Sequence, residues 1–125
     1  MNNWLNLEGE VCVVTGALGG MGVEICREFA RNGANVVLLD LDEEKVRTAA
    51  AGLSDEFGIH AEGYRMDATN EEEVQAAVDA TIRDFGRVDA LVNTAGILRF
   101  SPMEYLPLSY WETVIKVNLT GTFIA

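Results

Sequence analysis

Basic side chains are scarce in this chain: nine Lys and Arg stand against twenty Asp and Glu, with a single histidine. The resulting net charge of −11 and pI near 4.3 argue against nucleic acid or an anionic membrane surface as a partner, because both recruit proteins through cationic patches. The acids are spread along the chain rather than gathered in a tail, so they read as solvated helix faces. Cysteine is equally sparse. Cys12 lies in an apolar run and Cys26 at an inward helical position, without metal-ligand spacing or a Cys-x-x-Cys pair, so both are expected to be small buried hydrophobes. His60 has no acid or nucleophile placed to work with it and reads as structural or surface, and no metal cluster or Ser-His-Asp arrangement is recognisable. No run approaches the ~18 apolar residues of a membrane span. Residues Met1 to Glu8 carry no basic region and no apolar segment of signal-peptide length. With so few cysteines, these absences point to the cytoplasm and to no membrane partner. Both prolines, Pro102 and Pro107, fall within residues 97–108, which read as irregular.

What is present is a chain of 125 residues, 49% hydrophobic, enough for one domain with a core. Its organising stretch is Glu10 to Asp40. An apolar run, Val11-Cys12-Val13-Val14, enters a glycine-rich turn, Thr15 to Gly22, which opens an amphipathic helix; a second apolar run, Val36 to Leu39, ends on Asp40. Glycines let a backbone approach a pyrophosphate, a helix start offers free N–H groups and a positive dipole end, and an acid on the second strand can accept both ribose hydroxyls. The turn lacks the Lys-Ser/Thr of a P-loop, which disfavours an NTPase.

The rest of the chain alternates in the same way. Consecutive rather than alternating apolar residues in the first two runs suit parallel strands covered on both faces. Strands are expected at about 11–15, 35–39, 60–66 and 88–92. Between them come helices at about 20–32, stopped by Gly33, at 43–57 behind an Asp42 cap, and at about 71–85, ended by Gly86. Asn70 with Glu73, or Thr69 with Glu72, gives a capping-box signal for the third helix, and Ser109 with Glu112 gives one for a fourth, still running at Ala125. The inward positions read as Val46, Ala49, Ala50 and Leu53 in the second helix, and as Val74, Ala77, Val78, Thr81, Ile82 and Phe85 in the third. Trp4, Leu5 and Leu7 are expected to pack on a sheet edge or a neighbouring helix. The fold class is α/β: a Rossmann-like, doubly wound parallel sheet of order 3-2-1-4 in three α/β/α layers.

The turn spacing Thr15-Gly16-x-x-x-Gly20-x-Gly22 resembles that of the short-chain dehydrogenase/reductase family, and further markers fall in order over essentially the whole chain. The resemblance implies a dinucleotide site in which Thr15, Gly16, Leu18, Gly20, Met21 and Gly22 surround the pyrophosphate. Asp40, followed by Leu41, would hold the ribose. A carboxylate there repels a 2′-phosphate, and no basic residue in the turn offsets it, so the implied cofactor is NAD rather than NADP. The alternative for Asp40 is a helix-capping aspartate. Asp67 and Ala68 match the family's adenine contacts, although a plain turn aspartate is an open alternative. Asn93-Thr94-Ala95-Gly96 resembles the family's Asn-Asn-Ala-Gly beside the cofactor, with Thr94 departing from the pattern. Asn118 matches the helix asparagine of the catalytic tetrad, which by resemblance stabilises a water in a proton relay; it is expected to be buried and partnered.

The family's tyrosine, with a lysine four residues on, is missing: Tyr64, Tyr105 and Tyr110 are followed at that spacing by Ala68, Ser109 and Val114. Residues 1–125 therefore read as the truncated, cofactor-binding half of an NAD-dependent dehydrogenase or reductase. The whole enzyme would act on a small-molecule alcohol or carbonyl, such as a polyol or sugar derivative, as a homodimer or homotetramer, and the 125 residues alone should be inactive. The alternative is a short, non-catalytic dinucleotide-binding or regulatory module. An S-adenosylmethionine-binding domain, which also uses a glycine-rich first turn, fits the residues after the fourth strand less well.

Overall fold

The runs of branched apolar residues form parallel strands in a computed structural model that describes residues 4–125; the first three residues of the N-terminal lead-in lie outside the described residues. The strands are β1 (Val11–Thr15), β2 (Asn35–Asp40), β3 (Ala61–Arg65) and β4 (Ala90–Asn93). Their order, β3-β2-β1-β4, is the expected one. β1 is buried at every position, which is why its apolar residues are consecutive: both faces are covered.

Side chains alternate across a strand, and this divides the core. Val14, Val36 and Leu38 face Cys26 and Ala30 of α1 (Gly20–Arg31) and Val46, Ala50 and Leu53 of α2 (Glu43–Phe57). Val11, Val13, Val37 and Leu39 face Val74 and Ala77 of α3 (Glu71–Phe85). Each fully buried Val or Leu contributes roughly 1.5–3 kcal/mol. Burial pushes the thiols of Cys12 and Cys26 up to about 11 and about 12, so both are unreactive fillers. His60 stacks on Phe85 at 4.2 Å between ring centroids; contrary to expectation an acid does stand beside it, Glu62 at 3.3 Å, but both side chains are half-exposed, a surface role.

The caps explain the helix starts. Asp42 accepts the N–H of Lys45 at 3.0 Å, and Asn70 accepts those of Glu72 and Glu73 at 3.0 and 3.1 Å. The glutamate of the expected box does not reach back to Asn70; Glu73 accepts the Asp67 N–H instead, at 2.7 Å. Gly33, Gly58 and Gly86 follow the first three helices at positive φ.

Several boundaries differ from expectation. β4 begins at Ala90 rather than Val88, and β3 is shorter at both ends. The fourth helix, α4 (Leu108–Ile115), starts after Pro107, not at a Ser109 cap, because the proline fixes the extended entry and Ser109 already lies inside the helix. A π-helical turn, Lys116–Thr120, joins it to α5 (Gly121–Ile124). Trp4 is 79% exposed and does not pack as expected, whereas Leu5 and Leu7 border a shallow groove beside Ile25 and Phe29 of α1. Val78 and Ile82 are also half-exposed rather than inward; Val78 borders a small apolar cavity with Val88 and Leu91 on the β4 side of α3.

One tight contact fixes how α2 lies on the sheet. A Cβ at Gly63 in β3 would stand 2.3 Å from the Val46 carbonyl oxygen, whereas one at Gly52 in α2 would meet nothing within 4 Å. Gly63→Ala should therefore cost about 1–3 kcal/mol of stability, while Gly52→Ala should gain about 0.5–1 kcal/mol. Denaturant unfolding of the two variants checks this; equal midpoints would contradict the close approach.

Candidate functional site

All four strands point their C-terminal ends at one rim, where β1 lies between β2 and β4 and the chain's connections diverge to opposite sides. Such a switch point opens a crevice. Here it is a cavity of about 720 Å³, walled by the glycine turn, the tips of β2 and β3, the segment after β4, and the helix near Lys116.

The turn is built by close backbone packing. Gly16 has φ +65°, and a Cβ on it would lie 2.6 Å from the Ala95 nitrogen. A Cβ on Gly22 would lie 2.2 Å from the Gly16 carbonyl oxygen. A Cβ on Gly20 would meet nothing within 4 Å, so only the first and third family glycines are required by the protein's own packing. α1 starts at Gly20 with no side-chain cap and no acid in its first turn, leaving its first N–H groups and dipole end unopposed by side chains.

Asp40 is clamped. Its Oδ2 accepts the Leu18 N–H at 2.9 Å and its Oδ1 the Leu41 N–H at 2.7 Å, so one carboxylate ties the tip of β2 to the turn. The helix-cap alternative fails for Asp40, since Asp42 caps α2. Asp67 accepts both the N–H and the Oγ1 of Thr69 at 2.9 and 2.7 Å. These bonds, with Lys116 and Arg65 nearby, hold its carboxyl below the usual carboxylate range.

The segment after β4 is stitched to the turn. The Thr15 hydroxyl donates to Asn93 Oδ1 at 3.2 Å, and the Thr94 hydroxyl donates to the Thr15 carbonyl at 2.6 Å, with the Gly16 carbonyl at 3.2 Å. The threonine that departs from the family pattern thus bonds to the turn it must support. Asn118, in the π-helical turn, is exposed rather than buried as expected, yet both ends of its amide are engaged: Oδ1 accepts the Ile97 N–H at 2.8 Å and Nδ2 donates to the Ile97 carbonyl at 2.9 Å.

Of the expected site residues, Gly16, Leu18, Asp40, Leu41, Asp67, Ala68, Thr94, Ala95 and Gly96 line the cavity. Thr15 is buried and Asn93 accepts from its hydroxyl; neither these two nor Gly20, Met21, Gly22 and Asn118 are among the lining residues. Gly19, Thr69, Glu112, Thr113, Lys116 and Val117 also line it and carried no separable signal in the sequence. Among the described residues, no helix is long and apolar enough to cross a membrane.

The fold and this rim define a class. The sequence profile of the family described as short chain dehydrogenase matches residues 10–125, and the chain belongs to that family. It is 42% identical over 118 residues to the D-threitol dehydrogenase of Mycolicibacterium smegmatis, covering 94% of this chain and 45% of that protein. Among solved structures, an NAD+-bound xylitol dehydrogenase superposes with a TM-score of 0.89 at 37% identity, covering 94% of this chain and 45% of the other. An L-sorbose reductase from Gluconobacter frateurii, complexed with NADPH and L-sorbose, superposes with a TM-score of 0.88 at 28% identity over the same shares, 94% and 45%. The chain thus spans less than half the length of these relatives.

The Thr94 hydroxyl should be worth about 1 kcal/mol. Thr94→Val, which keeps the shape and removes the donor, is expected to lower unfolding stability by that amount; an unchanged midpoint would show that the bonds to the turn contribute nothing.

Proposed function

We propose that the intact protein is an oxidoreductase that uses NAD and moves hydride between the nicotinamide and a secondary alcohol or ketone carbon of a small polyol or sugar derivative. In this reading residues 1–125 are the cofactor-binding half of a longer chain, soluble in the cytoplasm and assembled as a homodimer or homotetramer. The observation that carries it is the Asp40 carboxylate, fixed between two backbone N–H groups on the cavity wall beside the glycine turn. Each carboxylate oxygen has a lone pair left to accept a ribose hydroxyl. The fit is supported by the cavity itself, whose volume of about 720 Å³ lies in the range of cofactor sites.

When bound, the dinucleotide supplies the hydride acceptor or donor. The chain's residues supply position. Gly16, Gly20 and Gly22, with Thr15, Leu18 and Met21, would place backbone against the pyrophosphate; Asp40 and Leu41 would face the adenosine ribose, and Asp67 and Ala68 the adenine. Asn93 to Gly96 would back the nicotinamide side. The relay role that resemblance gives Asn118 belongs to the same proposal. Its amide is already engaged by Ile97, so the side chain's direct work is to hold the segment after Gly96. The substrate class is supported by the threitol, xylitol and sorbose enzymes the chain resembles.

Asp40→Ala in the intact natural protein should weaken NAD binding about tenfold or more, the scale of hydrogen bonds to a charged group, and weaken NADP binding much less. Titration with each dinucleotide reads this directly; an unchanged NAD-to-NADP affinity ratio would overturn the assignment of Asp40.

A further inference from the structure

The sheet register sets Arg65, the last residue of β3, beside Asp40, the last of β2. Paired positions on neighbouring strands send their side chains to the same face, so the Arg65 stem begins next to the carboxylate on the cavity wall. The guanidinium does not turn to Asp40, whose two oxygens accept the N–H groups of Leu18 and Leu41. It reaches the first turn of α3, where Nη1 donates to Glu73 Oε1 at 2.6 Å. Glu73 is a fixed receptor, because its other oxygen accepts the Asp67 N–H at 2.7 Å. That bond, and the Arg65 pair after it, hold the Glu73 carboxyl below its usual range. Glu43, at the start of α2, also faces the Arg65 charge, but its carboxylate is paired with Arg47 at 2.6 Å. The cation that does line the cavity, Lys116, acts on Asp67.

We propose that Glu73 is a specificity-determining residue: it draws Arg65 away from the ribose end of the cavity, so that Asp40 meets the ligand as an unneutralised carboxylate and a 2′-phosphate meets no guanidinium. The proposal rests on reading the cavity as a dinucleotide site. A guanidinium is the side chain best matched to a phosphate, through paired N–H donors. The Arg65 side chain is 45% exposed, so no packing walls it in once the Glu73 charge is gone. Discrimination against the phosphate then depends on two acids: one repels it and the other occupies the cation that would attract it.

The test uses the intact natural protein and titrations with NAD and NADP at low ionic strength, where charge effects are least screened. Glu73→Gln keeps an acceptor for the Asp67 N–H and removes the charge that holds Arg65. The NAD-to-NADP affinity ratio is expected to fall roughly two- to fivefold, the scale of a partly exposed ion pair. The double variant Glu73→Gln with Arg65→Met is expected to return to the wild-type ratio. An unchanged ratio in Glu73→Gln, or a fall that persists without Arg65, would overturn the proposal. Equal weakening of both dinucleotides would overturn it too, since Glu73 would then only prop the Asp67 wall. If the wild-type protein binds neither dinucleotide, the reading of the cavity fails and takes this proposal with it, an outcome distinct from binding with an unmoved ratio.

Discussion

The approach of backbone to backbone at Gly16 is the constraint from which the rim is built. Its carbonyl lies where a side chain on Gly22 would be, and its own α-carbon is pressed against the Ala95 peptide. Those two contacts bring α1 and the segment after β4 onto the end of β1 at once. The hydroxyls of Thr15 and Thr94 then lock the arrangement with bonds of 2.6 to 3.2 Å. A cavity follows because the strands on either side of β1 end at the same level while their connections diverge.

Fold and site are coupled through acids that serve both. Asp40 ends β2 and also ties that end to Leu18 in the turn. Glu73, in the first turn of α3, fastens the Asp67 peptide and holds Arg65. In a chain with twenty acids and nine basic residues, the carboxylates in ion pairs are partly exposed, and such pairs contribute little. The ones that matter are those whose oxygens are aimed at backbone N–H groups, because such bonds fix a wall as well as carry a charge.

The consecutive apolar runs at 11–14 and 36–39 revealed the central parallel strands, since only strands covered on both faces lack polar alternation. The Asp42 and Asn70 caps and the glycine stops were legible for local reasons: the atoms that bond lie within a few residues of one another. Contacts made across the sheet were not. Arg65 beside Asp40 is a product of register, Gly63 against Val46 of helix-on-sheet packing, and Asn118 on Ile97 joins residues 21 apart in sequence. The Ser109 cap was misread because a local signal competed with a proline two residues earlier, and the proline prevailed. Exposure of Val78 and Ile82 shows a further limit: helical periodicity marks an apolar face but not what lies against it.

The central claim, that this rim holds a dinucleotide, is tested most directly by following backbone amide resonances of the intact protein as NAD is added. The expected result is saturable shifts concentrated at Gly16 to Gly22, Asp40 to Leu41, Asp67 to Ala68 and Thr94 to Gly96, the four strand ends that meet at the cavity. Shifts absent from those segments, or confined to another part of the surface, would contradict it.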